Sequence, residues 1–145
     1  MPASTDAQKS LLFSPLALRG LTAKNRIVVS PMCQYSADNG LATDWHEAHH
    51  SKFAMGGVAI GIVEATGVEP RGRITHGCVG LWSDAHIAPL ARVAALYKRF
   101  GSIPAIQIAH AGRKASTQRP WEGNQALGAG DAARGDAPWQ VVGPS

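Results

Sequence analysis

The chain has 145 residues, 45% hydrophobic and 17% charged, which is enough apolar matter for a buried core and too much for a disordered chain. Its formal net charge of +4 rests on 14 Lys and Arg against 10 Asp and Glu, but the basic residues are scattered, the longest run being Arg113-Lys114, which argues against a nucleic-acid surface. No apolar run approaches the roughly 20 residues of a membrane-spanning helix, and Cys33 and Cys78 lie far apart with no Cys-x-x-Cys pair and no signal-type leader, so a cytoplasmic protein without a membrane partner is expected.

Residues 1–10 are polar and unpatterned and read as a flexible leader, followed by one domain over residues 11–145. Leu16-Ala17-Leu18 and Leu21-Thr22 around Arg19-Gly20 predict a small hairpin. The β-branched run at residues 27–30, stopped by Pro31, predicts a buried strand. Thr43 or Asp44 caps a helix over residues 45–55 that Gly56-Gly57 ends. Residues 58–63 form a second buried-strand run, interrupted at Gly61 and followed by Glu64-Ala65-Thr66-Gly67. A helix opens at Ser83-Asp84, where Ile87, Leu90, Val93, Ala94 and Tyr97 keep helical spacing, and Gly101 ends it. Residues 103–108 supply a third strand. Strands alternating with helices in this order are the signature of βαβ units and a parallel sheet. From Ala115 onward the chain reads as loop, with Trp121 and Trp139 as its large apolar anchors; an irregular stretch of that length is usually functional or disordered.

Each predicted strand is followed by a polar or unusual cluster: Pro31-Met32-Cys33-Gln34-Tyr35-Ser36, then Glu64-Ala65-Thr66-Gly67, then Gln107 to Lys114. Carboxyl ends of parallel strands carry the chemistry both in βα barrels and in doubly wound sheets. The placement alone leaves both architectures open.

The residues themselves are more specific. Lys24-Asn25-Arg26-Ile27, Ser30-Pro31-Met32-Cys33-Gln34-Tyr35-Ser36, Val63-Glu64-Ala65-Thr66, Gly72-Arg73-Ile74 and the run from Gln107 through His110, Ala111, Gly112, Arg113 and Lys114 to Ala115 stand in one order. Over residues 11–119 this resembles the Old Yellow Enzyme family of FMN-dependent NAD(P)H:flavin oxidoreductases, in particular its bacterial branch with a cysteine beside the flavin. The resemblance implies an α/β fold, the N-terminal part of a TIM (β/α)8 barrel comprising about three βα units and a leading hairpin. It implies FMN as cofactor and NADPH or NADH as hydride donor. The substrate would be a small activated alkene such as an enone or maleimide. Ser30, Pro31, Met32 and Cys33 would line the flavin, with the Cys33 thiol near its reactive end, where a polarizable sulfur tunes its electronics. Tyr35 would offer its hydroxyl to the substrate, making Tyr35 and Cys33 the catalytic candidates. Ala65 would let backbone approach the ring, and the Gln107 amide, both donor and acceptor, would meet the pyrimidine edge. A Gln inside an apolar strand also needs a partner if buried. Arg113 and Lys114 read more simply as a solvated loop than as charge beside the flavin.

A complete eight-stranded barrel takes about 250 residues, so the expectation is a domain truncated before completion and a chain with little activity by itself. The complete protein is expected to form a homo-oligomer, or to pair with a complementing C-terminal barrel segment; a noncatalytic half-barrel or a segment of a split enzyme is the alternative. A different chemistry is suggested by His46-Glu47-Ala48-His49-His50, which satisfies the His-Glu-x-x-His pattern of zinc hydrolases. The extended form of that motif fails, because Phe53 and Gly56 stand where a Gly and a third His belong. Structural histidines, and no metal, are therefore the expectation for His46 and His50, with a hydrolase using His46, Glu47 and His50 as the alternative.

Overall fold

The computed structural model describes residues 10–143. The expected leader therefore falls outside the described residues except for Ser10. A hairpin comes first: β1 (Leu16–Leu18) pairs antiparallel with β2 (Leu21–Ala23), and Arg19 takes a positive φ of 51° in the turn. The sheet that follows is parallel, with β3 (Val28–Val29), β4 (Ile60–Gly67) and β5 (Ile103–Ala109) side by side in chain order. Helices α1 (Asp44–Met55) and α2 (Ile87–Arg99) make the two crossovers.

Local chemistry sets the helix ends. At the start of α1, Thr43 is extended, and its N–H donates to His46 Nδ1 at 2.9 Å, so an imidazole takes the place usually held by Glu or Gln in a capping box. Gly57, with φ of 83°, turns the chain out of α1, and the Asn25 side-chain amide donates to its carbonyl at 2.8 Å. Helix α2 is preceded by a single tight turn, Asp84–His86, and carries Lys98 and Arg99 in its last turn, where positive charge suits the dipole. Gly101, at φ of 66°, ends it.

Two strand boundaries differ from expectation. Only Val28–Val29 of the run at residues 27–30 forms ladder pairs, because Pro31 offers no N–H and the Ile27 carbonyl is taken by the N–H groups of Ala59 and Ile60. Strand β4 begins later and runs through the Glu64–Gly67 cluster expected to follow it. A bulge accounts for this: Val63 pairs with Ile106 and Ala65 with Gln107, leaving Glu64 as the extra residue. Past Ala115 the chain is largely irregular, as read, apart from short turns and one four-residue helix, α3 (Ala129–Ala132).

The core decides the architecture. Val29, Val63 and Ile106 of the sheet pack with Ala54 and Phe53 of α1 and with Leu90, Val93 and Tyr97 of α2. Both helices therefore cover one face of a sheet whose strands follow chain order. A doubly wound sheet places helices on both faces, whereas successive βα units with all helices outside form the wall of a βα barrel. At Gly61 of β4 an added Cβ would lie 2.0 Å from the Tyr97 ring, so the gap in the apolar pattern of β4 is where that ring enters.

Candidate active site

The segment after β3 is held in a conformation its sequence does not favour. Tyr35 has φ of 52°, a left-handed backbone that costs an ordinary residue roughly 1–2 kcal/mol. Neighbouring groups hold it there. The Gln34 N–H donates to Glu64 Oε2 at 2.9 Å, Ser36 Oγ donates to the Gln34 carbonyl at 3.0 Å, and Thr43 Oγ1 donates to the Ser36 carbonyl at 3.1 Å. The Ala37 N–H donates to the Gly77 carbonyl at 2.9 Å. A Cβ on Gly77 would lie 2.2 Å from the Tyr35 carbonyl oxygen, so only glycine allows this approach.

Within that segment Ser30 and Met32 are exposed, and Pro31, Cys33 and Tyr35 are half-buried. The Cys33 sulfur lies within reach of the Ala65 N–H and the Tyr35 hydroxyl. Burial, reinforced by the negative charge of Glu64, pushes the Cys33 thiol up to about 11. Burial likewise raises the Tyr35 phenol to about 12, with Cys33 adding to the effect. At neutral pH both keep their protons. Tyr35 is thus a hydrogen-bond donor, and Cys33 is a soft neutral sulfur rather than a thiolate nucleophile.

Ala65 and Gln107 are register partners at the carboxyl ends of β4 and β5. Ile106 belongs to the core, and side chains alternate along a strand, so Gln107 and its partner Ala65 face away from the helices, toward what is the interior of a barrel. Gln107 is exposed, and its side chain makes no hydrogen bond within the described residues, so its donor and its acceptor both remain open to a ligand. Cys33 near the Ala65 backbone, Tyr35 with its hydroxyl toward Cys33, and Gln107 beside Ala65 thus share one end of the sheet. A small side chain at Ala65 leaves room for a flat ring, and the amide can serve a mixed donor and acceptor edge; these residues fit FMN.

Beneath that end lies a buried polar pair that the sequence reading passed over. Glu64 is 1% exposed and its Oε2 is 3.6 Å from Nε2 of His46, also 1% exposed. Because His46 Nδ1 accepts the Thr43 N–H, its proton sits on Nε2 and points toward Glu64. Burial lifts the Glu64 carboxyl to about 7, opposed by N–H groups of Gln34, Val79 and Tyr35. His46 is held below its ordinary value, chiefly by burial. The one signal available in the sequence was an acidic residue inside an apolar strand.

The His-Glu-x-x-His pattern is divided between two environments. His46 and His50 are buried, and His50 Nδ1 is 2.7 Å from the Tyr97 hydroxyl. Glu47 instead pairs with Arg92 of α2 in a half-exposed position. Among the described residues no three His, Cys, Asp or Glu side chains are grouped to hold a metal, and the hydrolase alternative finds no site.

Residues beyond Ala115 fold back over the sheet end. The Trp121 ring meets Tyr35 edge-on at 6.1 Å between centroids. Trp139 Nε1 donates to the Arg71 carbonyl at 2.9 Å, and the Arg73 guanidinium lies between the rings of Trp82 and Trp139, at 5.3 and 5.4 Å. His110 Nδ1 accepts the Gly112 N–H at 3.0 Å, so its protonated Nε2 donates to Glu69 Oε1 at 2.7 Å. Arg113 and Lys114 are exposed in the turn that follows. No helix among the described residues is long and apolar enough to cross a membrane.

Known proteins share this pattern. The NADH:flavin oxidoreductase / NADH oxidase family model matches residues 11–140. An NADPH dehydrogenase of Geobacillus thermodenitrificans is 51% identical over 107 residues, covering 72% of this chain and 32% of that protein. An NADH:flavin oxidoreductase of Gibberella zeae is 42% identical over 145 residues, covering 99% of this chain and 35% of its own length. Among solved structures, morphinone reductase in complex with tetrahydroNAD aligns with a TM-score of 0.66 at 27% identity, over 72% of this chain and 28% of that one. The Old Yellow Enzyme of a Pichia species aligns with a TM-score of 0.68 at 23% identity, over 73% and 28% of the two chains, a likeness of fold. The chain thus spans about a third of the length of the curated relatives it matches, and its three-stranded sheet with both helices outside is the wall of a TIM barrel. From the family match over residues 11–140, this chain belongs to the NADH:flavin oxidoreductase / NADH oxidase family, whose cofactor is FMN.

Proposed function

We propose that the complete protein is an ene-reductase that takes a hydride from NADPH or NADH and delivers it, by way of FMN, to the β-carbon of a small activated alkene such as an enone or maleimide. The observation that carries this reading is the meeting of Cys33, Tyr35, Ala65 and Gln107 at one carboxyl end of the parallel sheet. When bound, FMN supplies the hydride relay between nicotinamide and alkene.

The residues of this chain supply binding and polarisation. Ser30, Pro31, Met32 and Cys33 line one side of the ring site, Ala65 leaves room for the ring, and the open Gln107 amide bonds its polar edge. Tyr35, protonated through neutral pH, donates a hydrogen bond to the electron-withdrawing group of the substrate and makes the alkene a better hydride acceptor. Cys33, a neutral thiol, changes the ring's electronics without attacking it. Relatives about three times as long support a division in which residues 11–145 form one wall of the site and further barrel sequence supplies the other. On this reading the 145-residue chain by itself has little activity.

The test is to purify the complete gene product, record its absorbance and FMN content, and follow NADPH oxidation with cyclohexenone and with N-ethylmaleimide. A flavin spectrum with near-stoichiometric FMN and a reduced carbon–carbon double bond in the product is expected. Absence of bound FMN, or intact double bonds after NADPH is consumed, refutes the reading.

A further inference from the structure

Glu64 lies outside the residues assigned to flavin or substrate, yet it touches the backbone that carries them. It is the bulged residue of β4, placed between Val63 and Ala65 where the ladder skips a position. The bulge re-aims its side chain. The carboxylate is 1% exposed, with Oε2 accepting the Gln34 N–H at 2.9 Å and lying 3.6 Å from His46 Nε2. Among the described residues Oε1 makes no hydrogen bond that meets normal geometry, although the Val79 and Tyr35 N–H groups lie near the carboxyl. A buried carboxylate with half of its acceptor capacity unused is costly on stability grounds alone. Its one close bond goes to the amide between Cys33 and Tyr35, the latter in the left-handed backbone region.

We infer that Glu64 is a positioning residue: from the β4 bulge, braced by His46, it clamps the Gln34 amide and so fixes the directions in which Cys33 and Tyr35 present their side chains to the flavin site. This inference rests on the flavin reading given above. His46 keeps its proton on Nε2, which faces, at 3.6 Å, the same oxygen that accepts the Gln34 N–H. The device links α1, β4 and the segment after β3 through one side chain. Charged and titratable groups facing Glu64 are His46 from α1, Cys33 and Tyr35 from that segment, and Cys78 from the loop after β4.

The test compares wild-type complete gene product with Glu64→Gln, which keeps an acceptor for the Gln34 N–H, and Glu64→Leu, which keeps the volume and removes the acceptor. FMN affinity, the visible spectrum at saturating FMN, and the rate of Cys33 alkylation by iodoacetamide without FMN are read for each. Glu64→Leu is expected to bind FMN about 10- to 100-fold more weakly, the cost of one lost buried hydrogen bond, with a shifted flavin band and faster Cys33 alkylation. Glu64→Gln is expected to restore most of the affinity. If Glu64→Leu does not fold, Glu64→Asp, which withdraws the carboxylate by one methylene, carries the same measurements. Weakened binding with an unmoved flavin band and unchanged alkylation would mean a merely structural role and overturns the inference, as does a Leu or Asp variant indistinguishable from wild type. Wild-type protein without affinity for FMN overturns the flavin reading and this inference with it.

Discussion

Placing a methyl group at position 61 tests the packing that sets the helix layer against the sheet. A Cβ there would lie 2.0, 2.2 and 2.3 Å from Cζ, Cε1 and Oη of Tyr97. Tyr97 cannot swing aside freely, because it is fully buried in the cluster that includes Val63 and Val93, and its hydroxyl is 2.7 Å from His50 Nδ1. Overpacking of this kind costs about 1–3 kcal/mol, and a displaced Tyr97–His50 hydrogen bond adds about 1 kcal/mol. Replacing a strand glycine returns roughly 0.5–1 kcal/mol. Gly61→Ala is therefore expected to destabilise by about 1.5–3 kcal/mol, read as a lower urea midpoint at unchanged slope by tryptophan fluorescence of the complete gene product. Tyr97→Leu in the same chain opens the space, so the double variant should fall well short of the sum of the singles. A loss under about 0.5 kcal/mol for Gly61→Ala, within the range of neutral surface changes, or strict additivity in the cycle, would refute the packing argument.

Other outcomes follow from the site and its buried groups. Iodoacetamide should modify Cys33 slowly at pH 7.5 and progressively faster as pH climbs toward its raised value of about 11, measured by peptide mass spectrometry; a plateau already reached by pH 8.5 would contradict it. Gln107→Leu should weaken FMN binding by roughly 10-fold, the worth of one or two hydrogen bonds, without lowering the urea midpoint, since its amide makes no hydrogen bond among the described residues. Two buried groups give opposite pH dependences. His50 is lowered to about 4 by burial, so its contribution is full above its ordinary value of 6.5 and is lost as pH falls toward 4. Glu64 is raised to about 7 by burial, so it adds stability as pH falls from about 7 toward its ordinary 4.5. Glu64→Gln removes the compensating rise, and the variant should lose more stability than wild type between pH 7 and pH 5 in urea titrations.

Much of the fold was legible because its signals are local. Thr43 before Asp44, the Gly56-Gly57 stop, the helical spacing of Leu90, Val93 and Tyr97, and the apolar runs before each polar cluster each act over a few residues, and α1, α2 and β5 appear close to where those signals fall. Barrel against doubly wound sheet was legible only through the motif resemblance and not in the element pattern, since that choice depends on both helices sharing one face, a relation between residues far apart in sequence. The candidate ring-side residues were legible as a motif. Their supports were not: Gly77 under Tyr35, Trp121 beside it, and Thr43 bonded to Ser36 lie 42, 86 and 7 residues from their partners and form no contiguous pattern.

The bulge at Glu64 shows why an element boundary and a site can be misread together. Alternation predicts that residues 63 and 64 face opposite sides of a regular strand, and a reader who stops β4 at Val63 leaves Glu64 in a loop. Instead β5 continues to pair through Gly67 while skipping one residue. That single insertion buries Glu64, keeps Ala65 in register with Gln107, and brings a carboxylate to the Gln34 amide. An acidic residue interrupting an apolar run thus marks neither the end of the strand nor a metal ligand. It marks the point where the sheet gives up one step of its ladder so that the strand ends can be aimed.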